Sequence, residues 1–67
     1  MILQNRLKEI RLERDFTQET LAKLVGVTRQ TIIAIEKEKF VPSVKLALEL
    51  ANALNKPLAS IFWLKQT

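Results

Sequence analysis

Only three residues in this 67-residue chain readily interrupt a helix: one glycine, Gly26, and two prolines, Pro42 and Pro57. With so few breakers these positions mark the joints of the fold, and the segments between them read as short helices. The first is expected from about Asn5 to Asp15, with Leu7, Ile10 and Arg14 on one face and Leu12 beside them. Thr17 is placed to cap a second helix by accepting from the free amides of its first turn. Leu21, Leu24 and Val25 form its apolar side, next to Ala22. It stops at Gly26, the residue best able to adopt a left-handed conformation at a helix end. Thr28 caps a third helix running to about Lys37, with Ile32 and Ile35 turned inward. After a loop from Glu38 to Pro42, Ser43 caps a fourth helix, in which Val44, Ala47, Leu48, Ala51 and Leu54 repeat at helical spacing. Asn55 and Lys56 close it, and Pro57 suits the first position of a short fifth turn, Leu58 to Ile61. Residues 1–5 and 62–66 hold apolar and aromatic side chains without helical spacing. They either fray or pair as two short strands.

Composition narrows the function. The length allows one domain, residues 1–67, with one small core, and burial against a second subunit would help so small a core. The chain has no cysteine and no histidine, which excludes disulfides and thiolate or imidazole metal ligation. The glutamates Glu9, Glu13, Glu19 and Glu49 are spaced for surface pairing with nearby Lys or Arg rather than for acid–base work. No catalytic residue, metal or cofactor is expected, and the chain does not read as an enzyme. No apolar run approaches the ~20 residues of a membrane helix, and the first residues lack the basic leader of a signal peptide. A cytoplasmic protein is expected. The net charge of +4 favours polyanionic partners, but weakly.

The segment 18–37 is more specific. Two short helices that cross tightly need a small residue where one passes over the other, a turn residue tolerant of positive φ, and branched apolar residues to lock the angle. Ala22, Gly26, and the pair Ile32 and Ile35 meet these demands at the spacing of a helix-turn-helix.

Thr17-Gln18-Glu19-Thr20-Leu21-Ala22, Val25-Gly26-Val27-Thr28-Arg29-Gln30-Thr31-Ile32, Ile35-Glu36-Lys37, Pro42-Ser43 and Leu46-Ala47-Leu48 together resemble the Cro/repressor-type (XRE) helix-turn-helix family. The resemblance covers nearly the whole chain. With its short apolar ends the chain is most similar to the small cytolysin-repressor type. This implies an all-α, five-helix, lambda-repressor-like DNA-binding domain whose ends form a two-stranded sheet, and a homodimeric repressor of transcription. It also implies that the third helix enters the major groove, that Gln18 contacts a phosphate, and that Arg11 and Glu36 form a structural ion pair. In two places the chain departs from the family pattern. Glu38 stands where glycine usually follows the third helix, so the backbone there is strained or the helix runs on. Thr20 replaces the glutamate that often completes a capping box with Thr17.

The residue chemistry of the third helix points the same way. Arg29 can pair bidentately with guanine and Gln30 with adenine, while Ile33 and Ala34 suit thymine methyl groups. Thr28, Thr31, Lys37 and Lys39 are placed for phosphate contact. Leu50, Phe62, Trp63 and Leu64 exceed what one small core requires. They either close its base or form a dimer interface, and the interface is the reading favoured here. The expected partner is double-stranded DNA bound by a homodimer. No small-molecule effector is expected, since no sensor domain is evident. The alternative is an antitoxin or other protein-interaction module on the same fold.

Overall fold

A computed structural model describes residues 1–66. The chain runs β1 (Ile2–Asn5), α1 (Leu7–Glu13), α2 (Gln18–Val25), α3 (Arg29–Glu36), α4 (Val44–Leu54), α5 (Leu58–Ile61) and β2 (Phe62–Lys65). The two ends meet. β1 and β2 pair antiparallel, with Leu3 opposite Leu64, Gln4 opposite Trp63 and Asn5 opposite Phe62. The amide of Arg6 donates to the Ile61 carbonyl at 3.0 Å and carries the pairing up to the start of α1. A two-stranded ribbon is marginal by itself. Here Phe62 is buried in the core and Leu3 packs against it, so the ribbon is held by the helices.

Three helices start as their sequences dictate. Thr17, Thr28 and Ser43 sit at extended backbone angles and accept from the amides of Thr20, Thr31 and Leu46. At the α2 start the Thr17 hydroxyl also donates to the Thr20 hydroxyl at 2.9 Å.

The helix ends share one device, only partly legible in the sequence. After each of the first four helices the chain takes one left-handed residue: Asp15, Gly26, Glu38 and Asn55. The next residue's amide then reaches back across the turn. Phe16 bonds the carbonyl of Arg11, Val27 that of Ala22, Lys39 that of Ala34 and Lys56 that of Ala51. These bonds satisfy carbonyls that a helix end leaves free. Of the two outcomes open at Glu38, the strained one is adopted: α3 ends at Glu36, and Glu38 has φ 61°.

α1 is shorter than the expected Asn5–Asp15. Asn5 belongs to β1, and Asp15 is the left-handed residue of the turn. The face of α1 also differs, since Arg14 and Leu12 are exposed while Arg11 is buried.

The core gathers one stripe from each helix. Leu7, Leu21, Ile32, Ile35, Leu50, Leu54 and Ile61 are its fully buried members. On α4 the buried stripe is Leu46, Leu50, Ala51 and Leu54. Val44 and Leu48, expected to turn inward, are 76% and 52% exposed. The helix carries two apolar stripes, and periodicity does not say which one packs. Contact with α2 and α5 decides it. Leu24 of α2 is likewise exposed rather than part of the apolar seam.

Candidate nucleic-acid interface

α3 is sealed on one side and open on the other. Ile32 and Ile35 are 0% and 1% exposed, and Ala22, beneath the crossing, is 2% exposed. Gly26 turns the chain between α2 and α3 at φ 72°. On the opposite side Arg29 and Gln30, in the first turn of α3, are exposed, and Ile33 and Ala34 are half-buried. These four lie on the face that remains after the core has taken Ile32 and Ile35, because residues three and four apart share a helix face.

The residues expected at phosphates frame this face. Thr28, Lys37 and Lys39 are exposed, and Thr31 is half-buried. The hydroxyls of Thr28 and Thr31 lie 3.2 Å apart, so one donates to the other. The second hydroxyl keeps its proton for an outside acceptor. Gln18, half-buried, donates its amide nitrogen to Glu36 Oε1 at 3.1 Å. An amide nitrogen carries two protons, and the second is not consumed by that bond.

A polar network fixes the C-terminal end of α3 to the scaffold. Arg11 Nε donates to Glu36 Oε2 at 2.7 Å, and the two side chains are 7% and 5% exposed. The Arg11 guanidinium also donates to the Phe16 carbonyl at 2.8 Å, so one side chain ties α3 to the turn that leads into α2. Asn5 completes the network. Its carboxamide nitrogen donates to the Ile35 carbonyl at 2.9 Å, and its oxygen accepts from the Leu7 amide at 3.0 Å. Sequence reading missed Asn5 as a member of the site. The available signal was an asparagine just before an apolar helical run, which marks a cap but not a long-range partner.

The chain's second open surface is apolar. Leu50 is fully buried, which corrects its expected place on a dimer surface: it is core. Phe62 is also buried and contributes to the core. Trp63 is half-buried, with the Arg6 guanidinium 5.2 Å from its ring centre, a cation–π contact. Leu64 is 61% exposed. Phe62, Trp63 and Leu64, expected at an interface, line an open groove of about 500 Å³ together with Val41, Val44 and Leu58, which sequence reading missed. Its members come from the α3–α4 loop, α4, α5 and β2, and no single window of sequence holds them together.

Comparison with known proteins agrees with this geometry. A helix-turn-helix family model matches residues 7–61. The chain is 44% identical over 64 residues to the uncharacterized HTH-type transcriptional regulator YgzD of Bacillus subtilis, covering 96% of this chain and 97% of that protein. It is 50% identical over 60 residues to an uncharacterized HTH-type transcriptional regulator of Methanocaldococcus jannaschii, covering 90% and 91% of the two chains. In structure it resembles the restriction-modification controller protein C.AhdI from Aeromonas hydrophila, with a TM-score of 0.78 and 34% identity over 82% of this chain and 83% of that one. The five helices and terminal sheet are those of the lambda-repressor-like fold. No helix among the described residues is long and apolar enough to cross a membrane. With an exposed face on α3, a packed core behind it and a family match over most of its length, the chain belongs to the XRE-type helix-turn-helix family of DNA-binding transcriptional regulators.

Proposed function

We propose that the chain is a dimeric repressor that reads an inverted repeat through the major groove. The observation that carries this reading is the free face of α3: Arg29 and Gln30 are exposed at the N-terminal turn, while Ile32 and Ile35 are sealed beneath. In this reading Arg29 and Gln30 make bidentate contacts to base edges, and Ile33 and Ala34 pack on thymine methyl groups. Gln18, Thr28, Thr31, Lys37 and Lys39 set register on the phosphates. Arg11 and Glu36 hold the angle of the helix.

Size and the apolar groove support the dimer in this reading. The chain is 33 Å along its longest axis and carries one reading helix. Successive major grooves on one side of the duplex lie roughly 34 Å apart, so two half-sites require two copies. In this reading the groove beside β2, with Val41, Val44 and Leu64 exposed along it, is the surface for that second copy. A two-fold contact of this kind makes the operator palindromic. Repression then follows from occupying promoter DNA in the cytoplasm, with no small-molecule effector.

Selection from random duplexes by the purified protein, at two salt concentrations, tests the whole reading. A palindrome with half-sites one turn apart is the expected result. A single ungapped half-site would remove the dimer, and no enrichment at either salt concentration would remove sequence-specific binding.

A further inference from the structure

The turn that ends α3 holds a residue whose backbone the fold uses and whose side chain it does not. Glu38 is left-handed at φ 61°, where a Cβ is disfavoured. It is exposed, and among the described residues it takes part in no ion pair and no side-chain hydrogen bond. Its backbone serves the turn, and glycine would serve as well. The side chain therefore adds strain and one negative charge, and the charge sits between Lys37 and Lys39.

We infer that Glu38 is an electrostatic brake on DNA affinity, lowering attraction to phosphate for every sequence alike. The inference rests on α3 lying in the major groove. An eight-residue helix rises about 12 Å, close to the ~12 Å width of that groove. A helix that enters with Arg29 and Gln30 therefore brings the Lys37–Lys39 turn to the level of the backbone. At physiological salt a charge acts over about 8 Å, so Glu38 opposes its neighbouring lysines whatever its rotamer. Phosphate attraction supplies affinity without sequence information. Lowering it weakens binding to specific and random DNA by the same factor and leaves discrimination to Arg29 and Gln30.

The test uses the full chain and two fluorescent duplexes, one enriched by selection and one of scrambled sequence. Glu38→Gln removes the charge and keeps the strained backbone. It should tighten binding to both duplexes by the same factor, about three- to tenfold at about 50 mM salt, and steepen the salt dependence. The gain should fade at about 1 M salt, where screening acts within ~3 Å. Glu38→Asp should bind as the parent does, since it keeps the charge. Glu38→Gly should tighten binding like Glu38→Gln and also raise the melting temperature, which separates charge from strain. Equal affinity of parent and Glu38→Gln on both duplexes overturns the inference, and so does a gain confined to one duplex. A parent chain that binds neither duplex overturns the DNA-reading proposal together with this one. A parent that binds while Glu38→Gln changes nothing overturns this one alone.

Discussion

The two ends of α3 are held in opposite ways. At its C-terminal end, Ile35 and Glu36 are tied to three other parts of the chain through Asn5, Arg11 and Gln18. At its N-terminal end, Arg29 and Gln30 face solvent, and the polar bonds there are local ones between Thr28 and Thr31. A helix that reads DNA needs both conditions. One end must be fixed so that side chains arrive in register. The other must keep donors and acceptors that water fills in the free protein and base edges fill in the complex. The turns flanking α3 follow the same contrast. Gly26, before the free end, meets the left-handed requirement without a Cβ. Glu38, after the anchored end, meets it with strain.

Four substitutions sharpen that contrast. The largest effect is expected at the anchored end. Glu36→Ala leaves the Arg11 guanidinium buried without its carboxylate, and urea denaturation should show a loss of about 3–5 kcal/mol. A loss under 1 kcal/mol would mean that the network does not hold α3. At the free end, Arg29→Ala should leave stability within about 0.5 kcal/mol of the parent. Competition between duplexes should instead show about 1–3 kcal/mol less discrimination at one base pair. A large fall in melting temperature from this change would show that the free end is structural after all.

The two turns give smaller effects of opposite sign. At Gly26 an added Cβ meets no atom within 4 Å, so Gly26→Ala is opposed by the left-handed backbone alone. Thermal unfolding should report a loss of about 1 kcal/mol. Glu38→Gly relieves the same strain but adds the greater chain entropy of glycine to the unfolded state. A net gain of about 0.5 kcal/mol is expected from chemical denaturation, and a loss there would show that the Glu38 side chain supports the fold.

Much of the helix-turn-helix was readable because its demands are local. Thr17, Thr28 and Ser43 act on amides three positions away, and Gly26 acts on its own φ. The inward role of Ile32 and Ile35 follows from their spacing. The left-handed turns at Asp15 and Glu38 were less visible, because neither residue advertises such a conformation as glycine does. Glu38 is open between strain and a longer helix, and at Asp15 the sequence marks a turn, Asp15-Phe16-Thr17, but not its left-handed backbone. The expected stripe of α4 holds at Ala51 and Leu54 and fails at Val44 and Leu48, for a different reason. Val44 and Leu48 lie on one helical stripe, Leu46 and Leu50 on another, and each is regular taken alone. Leu50 then looks like surplus apolar area available to a partner, whereas it is fully buried in the core, as Leu54 is.

The sequence by itself determined where helices begin, which residues turn the chain between α2 and α3, and which side chains on α3 carry groups suited to base edges. Those properties depend on torsion preferences and hydrogen bonds spanning a few residues. Only the tertiary structure decided that Asn5 reaches Ile35 across thirty positions of chain, that the two ends pair as strands, and which stripe of α4 is buried. Each of those outcomes is a choice among locally equivalent arrangements, and it is made by packing against elements distant in sequence.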